Sequence, residues 1–256
     1  MIKFFRKIRQ KALTNNKFSK YILYAIGEIV LVVIGILIAL QLNSKKAKSD
    51  TFKKQQNYLA LIKGEMKNNL LTLSNESEDL LSIIENNRKI IALMDSDSAA
   101  TTINENDLSS LLLMPISRAI SIDYENGAFK ELISSGGLKD IHNDSIRTIL
   151  RSWESKLITI KEQENALRQS LNKTIEYVEA HGNYRAVFDR IGLSEDLNIN
   201  LSSKVTTNKH LLTSQKLENI LLNYLACAIQ LHEKNYPTFK NDIQSLIDMI
   251  DKELKK

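Results

Sequence analysis

Apolar residues are distributed in three distinct ways along this chain. From Tyr21 to Leu42, YILYAIGEIVLVVIGILIALQL, they run almost without interruption, and Glu28 is the single charge. A helix rises about 1.5 Å per residue, so this stretch just covers a hydrocarbon core of roughly 30 Å. From Phe52 the apolar positions change to steps of mostly 3, 4 or 7: Leu59, Ile62, Met66, Leu70, Leu73, Leu80, Ile84, Ile91 and Met94. That spacing predicts a helix packed along one seam, continuous with the apolar run as far as about Met94.

The rest of the chain alternates helical seams with polar breaks. Asp95–Asp107 has no periodicity and reads as a surface loop, followed by a short helix from Leu108 that breaks near Pro115. Over Ile122–Leu138 a helix is expected with Tyr124, Phe129, Leu132 and Ile133 on one side, stopped by Gly136-Gly137. Asn143 is a good N-cap for a long helix with the seam Ile146, Leu150, Trp153, Leu157, Ile160, Leu167, Leu171 and Val178, ending at His181-Gly182. Tyr184–Ile191 allows a further short helix, and Gly192–His210 is polar and irregular. The last seam takes Leu217, Leu221, Tyr224, Ala228 and Leu231, then Phe239, Ile243, Leu246, Ile250 and Leu254, with Pro237 expected to kink or divide it. The expected fold is all-α: one N-terminal transmembrane helix continuing into an antiparallel helical bundle of coiled-coil-like character. The boundaries are a basic tail at 1–20, a membrane helix at 21–42 and a helical domain at 43–256.

Composition sharpens this picture. The chain has only 8 Gly and 2 Pro in 256 residues, which favours long helices over a strand-rich fold. Its formal charge is +5, but the excess is local. The first 20 residues hold seven of the 35 Lys/Arg and no acid; the remainder holds 28 against 30 Asp/Glu, or −2. The large domain therefore lacks the basic excess that nucleic-acid binding requires. The tail suits anionic headgroups, either as a short amphipathic surface helix carrying Phe4, Phe5 and Ile8 or as a plain positive flank for insertion. The apolar core exceeds that of a cleavable signal peptide, and the reading is an uncleaved signal anchor. Lys45, Lys46, Lys48, Lys53 and Lys54 follow the span against Asp50, so positive charge is heavier before it. The tail is then cytoplasmic, and the large domain periplasmic beside the inner membrane.

Glu28 is anomalous in hydrocarbon. Gly35 and Ala39 each fall within about 20° of it on one helix face, a small-residue stripe with one polar group that suits a second copy or a partner membrane helix. The alternative is a Glu that reaches the headgroups or is protonated. The lone Cys227 excludes an internal disulfide and reads as a small buried hydrophobe. His142, His181, His210 and His232 form no ligand-spaced pair, and no phosphate-cradling glycine loop, GxSxG, CxxC or HExxH occurs. Glu76/Glu78 and Glu162/Glu164 read as charged helix faces. No catalytic, cofactor-binding or metal residue is assigned.

The N-terminal 42 residues, MIKFFRKIRQ followed by YAIGEIVLVVIGILIALQ, resemble an uncharacterised family of single-span membrane proteins, a domain of unknown function common in Bacteroidota. A weaker likeness continues at Tyr124, Glu125, Leu132, Ser135-Gly136 and Leu138, then Asn143, Ser145 and Arg147. Relatives often carry Asn-Asn-Trp after the span; here Asn43-Ser44-Lys45 stands instead. The resemblance implies membrane placement, a helical domain and no assigned activity. It points to a corner at Tyr124, Leu132, Ser135, Gly136 and Arg147 as either a recognition element or a purely structural turn. Three functions remain open: a structural or interaction subunit, a ligand sensor working through a partner protein, and an envelope enzyme.

Overall fold

The apolar run and the seam beyond it form one uninterrupted helix, α1 (Phe18–Met94), and Gly64 does not break it. A computed structural model of the protein describes residue 6 and residues 18–117, 119–204 and 206–255. The surface helix considered for residues 1–20 lies mostly outside them. No strand occurs among the described residues, and the fold is all-α. The chain divides into two units, Met1–Asn57 and Tyr58–Lys256.

In the first unit, the side chains of the apolar stretch from Ile22 to Leu42 are almost all exposed, Leu23 at 73% and Leu31 at 69%. No part of its most apolar window, of mean hydropathy 2.7, is buried. This is one helix long and apolar enough to cross a membrane.

The second unit is a bundle of α1 from Tyr58 onward with α2 (Asp97–Thr102), α3 (Glu105–Ser117), α4 (Gly127–Ser134), α5 (Asp144–His181), α6 (Tyr184–Ile191), α7 (Leu193–Asp196), α8 (Gln215–Gln230) and α9 (Tyr236–Leu254). Cross-helix pairs set its directions. Asn143, Lys156, Glu164 and Ser170 of α5 and its cap meet Glu253, Asp242, Tyr236 and Asn223 in turn. On α1, Lys63 meets Asp251 and Ser77 meets His232. In both series one number rises as the other falls. Helices α1 and α5 are thus both antiparallel to the C-terminal pair α8–α9.

The α5 reading holds closely. Asn143 caps it by accepting from the Ser145 and Ile146 amides, it ends at His181, and all eight expected seam residues are buried. The α1 seam differs. Leu59, Ile62, Met66, Leu73, Leu80 and Ile84 are buried, but Asn69, Ser77, Asn87 and Ile90 complete the stripe while Leu70, Ile91 and Met94 lie partly outside. The true repeat keeps its 3–4 spacing by placing polar residues in seam positions.

Three local expectations need correcting. Asp95–Asp107 is not a loop: the Ser96 hydroxyl accepts from the Ala99 amide to start α2, and α3 already begins at Glu105. Ala100, Leu108 and Leu112 then pack with Ile90, Val178 and Val187 in a second small core. The helix expected from Ile122 begins only at Gly127, so Tyr124 is not helical. Within Gly192–His210, α7 forms and a 3₁₀ turn (Lys209–Thr213) starts. The division of the C-terminal helix expected at Pro237 is present and falls just before it, as a π-turn over Leu231–Asn235 in which the Tyr236 amide reaches back to the Leu231 carbonyl. Pro237 lacks an N–H and its ring crowds the carbonyl four residues back; the wider turn accommodates both.

Candidate functional site

Residues 119–126 form no helix, and other parts of the bundle claim the backbone groups of Ile122 and Glu125 in this connecting segment. The buried Asn69 side chain donates to the Glu125 carbonyl at 2.8 Å and accepts from the Glu125 amide at 2.7 Å, as a neighbouring strand would. Four residues earlier on α1, the Glu65 carboxylate accepts from the Ala128 amide at 2.6 Å and the Phe129 amide at 3.4 Å. It caps α4 from outside, since the N-cap residue Asn126 makes no side-chain cap bond. The start of α4 is therefore set by α1.

From the other side, α5 supplies Glu164 and Lys161. Glu164 is 3% exposed. Its Oε1 accepts from the Tyr124 hydroxyl at 2.8 Å and the Tyr236 hydroxyl at 3.3 Å, and its Oε2 from the Ile122 amide at 3.5 Å. The Lys161 ammonium donates to the Ile122 carbonyl, stands 3.5 Å from Glu164 and lies 5.3 Å from the Tyr124 ring centroid. The Tyr124 ring meets Phe239 edge-on at 5.3 Å, and Phe239 stacks on the buried Trp153 at 5.6 Å. Burial, reinforced by the Glu164 charge, pushes both phenols well above their ordinary pKa. Both hydroxyls serve here as hydrogen-bond donors to the buried carboxylate. Glu162 remains an exposed helix-face residue; Glu164 does not, and its reading as surface charge is overturned by four donors around a buried carboxylate.

Between the connecting segment 119–126, α4 and α5 lies a groove of about 890 Å³. Phe129 and Leu157 line it as buried residues, while Ile133 and Ile158 line it at 40% and 54% exposure. Lys130, Glu154, Glu162 and Arg168 provide charge at its rim.

Of the corner residues read from the sequence, Tyr124 lines this groove. Leu132 is buried in the main core, and the Ser135 hydroxyl donates to the Leu132 carbonyl at 3.1 Å. Gly136 closes the turn at φ +67°, a left-handed conformation suited to glycine. Arg147 donates to the Ile141 carbonyl at 3.0 Å and pairs with Asp144, tying the turn to the start of α5. Glu28, Gly35 and Ala39 lie on α1 of the first unit; all three are exposed, and a Cβ at Gly35 would meet no atom within 4 Å.

Sequence reading missed Glu65, Asn69, Lys161 and Glu164 as site-forming residues. The available signal was a polar residue at a seam position: Asn69 stands between Met66 and Leu73, and Glu164 between Ile160 and Leu167. Among the described residues no group of three or more His, Cys, Asp or Glu is arranged to hold a metal ion. His210 instead contacts the His181 carbonyl at 2.7 Å, and the His181 ring stacks on Tyr177 at 4.2 Å. Cys227 is partly buried against the main core. No family model, curated protein or solved structure matches the chain.

Proposed function

We propose that this is a single-pass inner-membrane protein acting as a structural or interaction subunit, with no catalytic role. Its basic tail is cytoplasmic and its helical domain periplasmic, and the resemblance of its first 42 residues to a single-span family supports the membrane placement. The observation that carries this reading is the bare apolar surface from Ile22 to Leu42. Apolar area left in water costs about 25 cal/mol per Å², and a bilayer removes that cost along the whole stretch. The heavier positive charge before the span supports the orientation. A second copy or a partner membrane helix packs on the Glu28, Gly35 and Ala39 face, where small residues admit close approach.

Alkaline extraction of membranes tests the anchor, and protease accessibility of the helical domain in intact and opened cells tests its side. Crosslinking in native membranes tests association: Gly35→Leu should lower the yield of crosslinked oligomer or partner. Wild-type yield would exclude that face.

A second reading, ligand sensing through a partner protein, is favoured by the groove. It predicts that a compound bound there raises the unfolding temperature of the full-length protein, with the effect lost on filling the groove at Ile158.

A further inference from the structure

We infer that the groove between α4 and α5 receives a short peptide segment of a partner protein, with aliphatic or aromatic side chains seated between residues of both charge signs. This rests on the reading of the helical domain as an interaction module and names the surface it uses.

Three observations carry it. The volume of about 890 Å³ is that of a ligand cleft, yet its two aliphatic walls, Ile133 from α4 and Ile158 from α5, stay 40% and 54% exposed above the buried Phe129 and Leu157. Apolar side chains left exposed in a cleft gain by having another apolar group placed against them.

The rim charges come next. Among the described residues Lys130 and Arg168 form no ion pair, and neither do Glu154 and Glu162; all four border the groove. Two unpaired charges of each sign complement a ligand that itself carries both. An anionic lipid, a nucleotide or a phosphorylated metabolite needs an excess of cations, which this rim lacks. A peptide segment with mixed charge meets it, and at the lining Asn126 and the side-chain N–H groups of Asn165, whose Oδ1 already accepts from Arg168 at 2.7 Å, offer hydrogen-bonding groups to a peptide backbone.

The walls are also held in place before any ligand arrives. Glu65 fixes the start of α4, Asn69 fixes Glu125, and Glu164 with Lys161 fixes Ile122 and Tyr124 to α5. A site whose walls are already ordered loses less entropy on binding. Along α5 the rim runs from Glu154 to Arg168, about 21 Å at helical rise, enough for a segment of about 14 residues if helical.

The test uses full-length protein in lipid nanodiscs and a displayed library of random peptides about 14 residues long. Selected peptides are then titrated by fluorescence anisotropy against wild type, Ile158→Arg and Glu154→Lys/Glu162→Lys. The expected selection has aliphatic or aromatic residues flanked by both signs of charge. It binds Ile158→Arg at least about tenfold more weakly, and the double charge reversal moves the preference from flanks of both signs to acidic flanks. Ile158 is exposed, so an unchanged unfolding temperature checks the fold, and Ile158→Ala provides a second, milder loss. Peptides that bind wild type and Ile158→Arg equally, or a selection with no common pattern, overturn the groove assignment. The interaction reading fails on different evidence, the absence of any specific crosslinked partner in native membranes.

Discussion

The Tyr124 hydroxyl donates to Glu164 Oε1 at 2.8 Å, and through that carboxylate the segment 119–126, α5 and the residue after the π-turn, Tyr236, share one buried acceptor. Removing the acceptor strands two phenol hydroxyls and loosens Lys161, whose side chain is 41% exposed and so partly rescued by water. Glu164→Ala should therefore destabilise the helical domain by about 2–3 kcal/mol, and Tyr124→Phe by about 1–2 kcal/mol. In a double-mutant cycle the pair should couple, because each change removes the same bond. Urea unfolding of the four variants measures this. Strictly additive losses would mean that Glu164 is held by its other donors alone.

Gly136 turns the chain at φ +67° between α4 and the 3₁₀ turn Gly137–Asp140, and the space where its Cβ would stand is empty. Its requirement is conformational rather than steric. Gly136→Val should cost about 1–2 kcal/mol, whereas Gly136→Asn, which tolerates the left-handed region, should cost much less. Thermal unfolding separates the two. Equal losses would assign the position to packing, and no loss in either would remove the corner from the determinants of the fold.

What could be read from the chain in advance was whatever repeats. The α5 seam from Ile146 to Val178 and its Asn143 cap follow from local spacing and capping chemistry, and so does the uninterrupted α1. The groove was not legible for a physical reason. Its walls are set by bonds between residues far apart in sequence, 56 positions from Asn69 to Glu125 and 40 from Tyr124 to Glu164. Period-based reading assigns Tyr124 to a helix because it sits in phase with Leu132; only the Asn69 side chain, competing for the Glu125 backbone, shows otherwise. Likewise Glu164 beside Glu162 looks like solvated charge until two other elements supply the Tyr124, Ile122 and Tyr236 donors.

Burial pushes the phenols of Tyr124, Tyr224 and Tyr236 well above the ordinary value, and that of Tyr184 to about 12; the Glu164 charge adds to the first and third. A group whose pKa is raised by folding contributes stability that is complete below its unfolded pKa, about 10 for tyrosine, and is lost as pH rises toward the folded value. Stability should thus decline above about pH 10, and the buried phenols should ionise together with the loss of helical circular dichroism. Phenolate absorbance followed beside ellipticity tests it. Full ionisation of all 8 tyrosines near pH 10 with helicity intact would contradict the buried placement.

Asp189 on α6 governs the opposite end of the pH scale. Its carboxylate accepts from the Ser194 hydroxyl, from the Ser202 amide at 3.0 Å and from Arg185 Nε at 2.7 Å, so it folds the stretch after α7 back onto α6. The Ser194 hydrogen bond, above all, holds its pKa below the ordinary aspartate value, with Ser202 and Arg185 adding to the effect against a smaller opposing effect of burial. A depressed pKa contributes stability that is present above the unfolded value, about 3.9, and lost as pH falls through the folded one. The loop that carries the exposed Leu197, Ile199 and Leu201 should accordingly open below about pH 4 while the bundle cores persist. Hydrogen exchange at the Ser202 amide, corrected for its intrinsic pH dependence, should accelerate across that window. In Asp189→Asn the same amide should exchange fast at neutral pH and show no acid transition. Protection of Ser202 that is indifferent to both acid and the substitution would show that the loop is held by the Arg185 contact with the Asn200 carbonyl instead.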